Sequence, residues 1–326
     1  METFCIEKNG AYVRYVSDVP LSGYYSRNKN FMEFYGARIV PDDEDLINYT
    51  VEYHNTEDNM GISFQNNTLI VNYPFERLNE SIIIYLGYHL LEKQFGEMGL
   101  CSCHSACVSK NGEATLILGD AGAGKTSLAM NLCAKHGFSL ISNDRTLIGV
   151  DDSGVLQAFG GTKFVNLRRL SVRENMPFLL YLFKNEITDE WTNKISIMAS
   201  DLGYDEEYGT IPITQIVFVH VDSRNQTLKV SNGDSWRNNF LLYQNLSDHI
   251  RGSSATFIDK SGHPIGYIPP FESENAYNKR KAIIDHINES PNYHYVNGSL
   301  NDVVDFINKF YNNLDKGMIR ERKNGE

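Results

Sequence analysis

The sequence predicts an α/β protein: a core built around a phosphate-binding loop and a mixed sheet, preceded by a small β-rich N-terminal region. Three observations carry this. Residues Gly119-Asp120-Ala121-Gly122-Ala123-Gly124-Lys125-Thr126 read G-x-x-x-x-G-K-[ST], and they lie between a strand-like run and a helix pattern. From residue 100 onward, strand and helix patterns alternate. Residues 1 to about 78 instead hold short β-leaning runs separated by polar turns.

In order along the chain, Ala11 to Val16, Ile47 to Tyr53 and Thr68 to Tyr73 read as strands, with Asn66-Asn67 as a turn. A helix follows over Ser81 to Phe95. Its apolar stripe is Ile82, Ile83, Leu86, His89 and Leu90, and Gly96 is its expected stop. His89 on that stripe is expected in the core. Leu100 to Ser109 and Ala114 to Leu118 form a hairpin over Lys110-Asn111-Gly112-Glu113. Lys125 to His136 is a helix with Leu128, Ala129, Leu132 and Cys133 on one face and Gly137 behind it. Phe138 to Asp144 reads as a strand with a polar end. Thr146 to Val150 and Val155 to Phe159 form a second hairpin leading to Gly160-Gly161-Thr162-Lys163. Residues 185–210 are polar and acidic and read as a long loop. Ile213 to Val221 is a buried central strand. Helices follow at Ser235 to Arg251, Glu274 to Ile287 and Leu300 to Leu314, the last opened by the capping sequence Ser299-Leu-Asn-Asp302. Tyr293 to Val296 reads as a short strand. The expected divisions are 1–98, 99–315 and a flexible tail over 316–326.

The chain has 326 residues, 41% of them hydrophobic, enough for one large or two moderate cores. The net charge of −11 argues against nucleic acid and anionic membranes as general partners. The first residues show no basic segment leading into an apolar one, and no apolar run approaches a membrane span. A cytoplasmic location is therefore expected. The five cysteines do not suggest a disulfide framework. Cys101-Ser-Cys103-His104-Ser-Ala-Cys107 resembles a metal cluster, but strand alternation turns His104 away from the thiols, and packing is the expected role of the sulfurs.

The loop glycines let backbone N–H groups turn inward around an anion. Gly119, Ala121, Gly122, Ala123, Gly124, Lys125, Thr126 and Ser127 are the candidate nucleotide-binding residues. Lys125 is placed to reach the β- and γ-phosphates and the Thr126 hydroxyl to hold Mg²⁺. Phosphoryl transfer also needs a carboxylate and a group that positions the acceptor. Asp144, closing the strand after the loop's helix, is the candidate for metal or acceptor. His104, fifteen residues before the loop, is the candidate partner of the γ-phosphate. Lys163, Arg168 and Arg169 are further candidates for phosphate or an acidic substrate, and Trp191 and Lys194 for the acceptor.

Taken together, His104-Ser105-Ala106, the loop Gly119 to Thr126 and Ile141-Ser142-Asn143-Asp144 resemble the HPr kinase/phosphorylase family, and more distantly the phosphoenolpyruvate carboxykinases. The resemblance covers residues 80–170 and is closest to small members associated with peptide modification. It implies a phosphoenolpyruvate-carboxykinase-like P-loop core. ATP or another NTP and Mg²⁺ would be the cofactors, and homo-oligomers are an expectation of the family. His104 and Asp144 would surround the metal and the γ-phosphate, with an aspartate acting as base toward an acceptor serine. One departure matters. The first residue of the family's Asp-Asp pair is Asn143, which can hydrogen-bond a metal-bound water but cannot take a proton. The phosphorolysis loop of the HPr kinases and the carboxylate-binding arginines of the phosphoenolpyruvate carboxykinases are not recognisable. The expected function is therefore a kinase, Lys125, Asp144 and His104 transferring the γ-phosphate to a hydroxyl of a peptide, protein or small metabolite. The alternative is a nucleotide-binding regulatory module without transferase activity.

Overall fold

The computed structural model describes residues 1–27, 37–43, 46–183, 193–222, 224, 227–232, 236–247, 257–266, 268 and 271–324. The fold is mixed α/β, with a small N-terminal β region and further mixed sheets. It divides into two compact units that interleave along the chain: Met1–Ser102 with Leu246–Ala282, and Cys103–Asn245 with Ile283–Glu326.

In the first unit, β1 (Glu2–Lys8) and β2 (Ala11–Ser17) form an antiparallel hairpin. Its turn is Asn9-Gly10, both at positive φ (51° and 81°), as a two-residue type I′ turn requires. Helix α1 (Leu21–Arg27) follows, then β3 (Arg38–Val40), β4 (Tyr49–His54), β5 (Gly61–Gln65) and β6 (Thr68–Asn72). The strand order is β3-β1-β2-β4-β6-β5, with β2, β4 and β6 parallel. Ala11, Val13, Tyr15 and Ser17 alternate into the core along β2. Helix α2 (Glu80–Met98) covers that face. The close approach depends on Gly87. A Cβ there would lie 2.0 Å from Tyr15 Oη, and Tyr15 is wholly buried with its hydroxyl donating to Ile83 O at 3.0 Å.

The segment Leu246–Ala282 completes this unit, which the expected boundary at residue 98 did not anticipate. Its Asp259 carboxylate accepts from Tyr73 Oη at 2.9 Å and forms an ion pair with Arg77 at 3.3 Å. Phe271 packs on Phe64 with centroids 5.0 Å apart, and Phe257 lies 5.7 Å from His89, a core histidine as expected. Gly96 does not stop α2. The helix passes through it to Met98 and ends at Gly99 (φ 85°). Gly96 stays inside because a Cβ there would come within 3.2 Å of Ala276 Cβ.

After β7 (Leu100–Cys103), the second unit runs β8 (Ala106–Lys110), β9 (Glu113–Leu118), α3 (Lys125–His136), β10 (Ser139–Ser142), β11 (Thr146–Val150), β12 (Leu156–Gly161), β13 (Phe164–Arg168), α4 (Arg169–Asn175), β14 (Lys194–Met198), β15 (Ile211–Val221), β16 (Lys229–Asn232), α5 (Trp236–Ser247), α6 (Glu274–Glu289), β17 (Tyr293–Gly298) and α7 (Leu300–Asn324). The unit boundaries fall inside α5 and α6. β10, β8, β9 and β15 are adjacent in that order. β17 pairs parallel with the second half of β15, and β16 lies outside β17. β9 is parallel to β15, while β8 is antiparallel to both β9 and β10. So β9, β10, β15 and β17 all point the same way. Leu128, Ala129 and Leu132 of α3 pack with Val108, Ile117, Val217 and Val219 of the sheet and with Val303 and Ile307 of α7. Each of the buried Leu, Val and Ile side chains contributes about 1.5–3 kcal/mol relative to exposure. Ser299 caps α7, accepting from Asp302 N–H and donating to its carboxylate.

Two expectations are corrected here. The segment 185–210 is not one long loop, because it contains β14, which pairs antiparallel with β13. The C-terminal helix continues to Asn324, past the tail expected from 316.

Candidate functional site

Strand direction decides where the chemistry gathers. β9 delivers the chain to the loop Gly119–Thr126, β10 delivers it to Asn143-Asp144, and β15 to Asp222. All three are carboxyl ends at one edge of the sheet, where open α/β sheets bind ligands. β8 runs the opposite way, so His104, just before it, lies at the same edge.

The loop holds the shape an anion cradle needs. Gly119 and Gly124 have φ of 152° and 94°. A Cβ at Gly119 would meet Val219 O at 2.7 Å, and one at Gly124 would meet Val221 Cβ at 2.7 Å, so the glycines let the loop sit directly on β15. Val221 N–H donates to Ala123 O at 2.9 Å and fixes this approach. Helix α3 starts at Lys125 with Gly124 as its N-cap and no side-chain cap, so its first N–H groups and its dipole are left for an anion. Ala121 and Gly122 are exposed, Ala123 and Ser127 buried, and Thr126 half-buried. Lys125 is buried, and its Nζ donates to Gly119 O at 2.8 Å and Asp120 O at 3.2 Å. Burial lowers its pKa, with the Asp144 charge opposing the shift.

His104 stands in a break that the expected single strand Leu100 to Ser109 did not contain. The chain forms β7 and β8 separately, with His104-Ser105 between them. A buried chain of hydroxyls lies behind this break. Ser105 Oγ is 2.6 Å from Thr146 Oγ1, which is 2.7 Å from Ser142 Oγ. It ties the start of β8 to the end of β10, the two places that carry His104 and Asp144. His104 Nε2 and Asp144 Oδ1 are 3.4 Å apart, both partly exposed. Asp144 has φ +73°, an uncommon conformation for a residue with a side chain and one that gathers at functional sites. The His104 hydrogen bond holds its carboxyl below the ordinary value; burial opposes this, and the charges of His104, Arg145 and Lys125 add to it.

Asn143 is buried. Its N–H donates to Thr162 O at 2.7 Å and its Nδ2 to Phe164 O at 3.2 Å. Its Oδ1 is buried with no hydrogen-bond partner. An orphaned acceptor beside Asp144 suits a water or a cation shell. Thr126 and Asp144 offer the hard oxygen donors that Mg²⁺ takes alongside phosphate and water. Among the described residues no group of three or more His, Cys, Asp or Glu is arranged to hold a metal by protein ligands alone. Thr126 and Asp144 are thus the residues that would hold an Mg²⁺ brought with a phosphate ligand.

Lys163 is turned onto backbone carbonyls. Its Nζ donates to Leu140 O at 2.8 Å, Ile141 O at 2.7 Å and Glu207 O at 2.5 Å, and lies 4.5 Å from the Tyr208 ring centroid. Three carbonyls use all three of its protons, and burial pulls its pKa down to about 8. Lys163 thus braces β10, which ends at the Asn143-Asp144 turn. Arg168 ends β13 opposite Lys194 of β14. The helix that begins at Arg169 reaches the loop's helix, Ser171 Oγ lying 3.2 Å from Ser127 Oγ. Trp191 lies outside the described residues. Cys103 and Cys107 are buried, burial pushing the Cys103 thiol up to about 12 and Cys107 upward as well, as packed sulfurs should behave.

Two residues at this edge escaped the sequence reading. Asp222 closes β15 much as Asp144 closes β10, and the apolar run ending at Val221 was a usable signal. Its carboxylate accepts from Arg224 at 3.0 Å. Arg237 in the first turn of α5 forms an ion pair with Asp120 of the loop at 3.6 Å. Nothing in the sequence pattern announced that contact. No family model matches the sequence, and no curated protein matches it.

Proposed function

We propose that this protein is an ATP- and Mg²⁺-dependent phosphotransferase with an HPr-kinase-like, phosphoenolpyruvate-carboxykinase-like core, acting on a hydroxyl of a peptide, protein or small metabolite. One observation carries the reading: the His104–Asp144 pair, 3.4 Å apart, stands at the same sheet edge as a loop shaped for phosphates. The loop amides and the first turn of α3 bind the phosphates, and Lys125 exchanges its two loop carbonyls for phosphate oxygens. Thr126 and Asp144 would hold Mg²⁺, which would supply neutralising charge for the phosphates. His104 orients the transferring group. The acceptor hydroxyl oxygen forms a bond to the γ-phosphorus while the β–γ bridging oxygen leaves with its electron pair on ADP. Asp144 accepts the hydroxyl proton. A carboxyl held below its ordinary pKa is a weak base, which suits a loose transition state in which the proton moves late.

The test uses Mg²⁺, γ-labelled ATP and a pool of peptide and small-molecule hydroxyl acceptors. Label on an acceptor is expected, reduced about a hundredfold or more in Asp144→Asn with ATP binding retained, and lost together with ATP binding in Lys125→Ala. Undiminished transfer by Asp144→Asn would overturn the assignment.

A second reading, a nucleotide-binding regulatory module, is favoured by Asn143. Its amide is committed to Phe164 O, and a carboxamide takes no proton. That reading expects saturable ATP binding, no labelled acceptor, and transfer appearing in Asn143→Asp.

A further inference from the structure

An exposed aromatic pair stands on α5, the helix whose Arg237 pairs with Asp120 of the loop. Trp236 and Phe240, four residues apart on α5, stack with centroids 5.8 Å apart and planes within 7° of parallel. They are 82% and 49% exposed. Two large apolar rings exposed side by side carry a hydrophobic cost that a docking partner removes.

The position of the pair says which partner. Lys125 Nζ lies against the carbonyls of Gly119 and Asp120, so these two residues mark the end of the cradle that the ammonium reaches, the β/γ end. The α/β-phosphates belong at the opposite end, on the first turn of α3. Arg237, next to Trp236, forms its ion pair with Asp120. The first turn of α5 is therefore tied to the γ end of the loop, where an acceptor hydroxyl must arrive, and not to the end from which a nucleoside base projects.

We infer that Trp236 and Phe240 form the docking platform for the phosphate acceptor, and that the acceptor is a peptide segment whose hydroxyl residue has a bulky apolar or aromatic neighbour. This deepens the phosphotransferase reading and rests on it for the identity of the γ end. A free amino acid or small polar metabolite has no side chain to cover both rings. A peptide with a Phe or Leu beside its Ser does, and its hydroxyl is then held at the end of the loop near Asp120.

The experiment reads Trp236 emission in a Trp191→Phe protein, which leaves Trp236 as the sole tryptophan. Seven-residue peptides Gly-Gly-Xaa-Ser-Xaa-Gly-Gly, with Xaa as Phe, Leu, Gly or Lys, are titrated with and without Mg-ATP. The Phe and Leu peptides are expected to shift the emission and to bind at least about tenfold more tightly than the Gly and Lys peptides. In Phe240→Ala that preference is expected to fall toward unity, while ATP affinity measured by calorimetry is unchanged. Mg-ATP alone is expected to leave the emission unaltered. Equal binding of all four peptides, failure of all four, or quenching by ATP alone would each overturn the proposal, the last by turning the rings toward the base. Failure of the phosphotransferase reading is separately visible. Loss of ATP binding with the peptide preference intact would remove the kinase and leave the docking platform.

Discussion

Gly124→Ala tests the loop geometry on which the functional reading depends. The native φ of +94° is unfavourable for an L side chain by about 1–2 kcal/mol. The new Cβ would also lie 2.7 Å from Val221 Cβ and 2.9 Å from Val221 Cγ2. β15 cannot retreat freely, because Val221 N–H is bonded to Ala123 O at 2.9 Å, and losing that bond costs about 1 kcal/mol. Overpacking of this kind adds about 1–3 kcal/mol, so a total near 2–4 kcal/mol is expected once partial relaxation is allowed. Gly122→Ala is the control. Its φ of +79° carries a similar backbone cost, but no atom lies within 4 Å of the added Cβ, so about 1 kcal/mol is expected. Urea unfolding gives both values, and calorimetry with inorganic triphosphate reports the cradle directly. Triphosphate affinity should fall about tenfold or more in Gly124→Ala, since Lys125 and Thr126 follow in sequence, and much less in Gly122→Ala. Equal destabilisation by the two substitutions would refute the close approach of the loop to β15.

Two further outcomes follow from the packing and charge. Gly87→Ala gains about 1 kcal/mol of helix propensity, yet a net loss of about 1–3 kcal/mol is expected, because Tyr15 is buried and pinned; Tyr15→Phe in the same chain should recover part of it, a coupling that a double-mutant cycle measures. The Asp144 carboxyl is held below its ordinary value, so its contribution to stability is present above the unfolded carboxylate pKa of about 4 and is lost as pH falls through the lower folded value. His104→Asn should therefore flatten the acid limb of the stability–pH curve, and an unchanged limb would remove His104 as the cause.

Much of the loop and its flanks was legible because the physics there is local. A strand-like run, glycines at the positive-φ positions, a helix with its apolar face and a C-terminal Gly137 (φ 68°) all declare themselves within twenty-odd residues. The hairpin over Asn111-Gly112 did the same. Asp144 was legible by its place at a strand end. What the sequence hid depends on distant partners. Gly96 looked like a helix stop until Ala276, far along the chain, turned out to need its space. The interruption at His104-Ser105 is held by hydroxyl contacts to Thr146 that no periodicity encodes. β14 is embedded in a polar stretch that masks its short signal, Ile195 and Ile197 alternating with Lys194 and Ser196, and pairing with β13 completes it. Lys163 looked like a phosphate ligand because two glycines precede it, and only the folded chain reveals three carbonyls around its ammonium.

The interleaving of the two units has a consequence for how the protein is made and cut. Each unit is assembled from two stretches of chain, and one stretch of each lies between the two of the other. On the ribosome, residues 1–102 emerge first, but the Asp259 carboxylate that accepts from Tyr73 arrives about 150 residues later, some ten seconds or more at ordinary translation rates. Until then the early sheet waits with part of its core uncovered. The same topology defeats scissors: no single continuous fragment contains either unit without enclosing the first stretch of the other or the whole of its second. A gene for the isolated half that carries the loop Gly119–Thr126 would have to be rebuilt, by splicing residue 245 to 283 through a designed linker, before that half could be expressed alone.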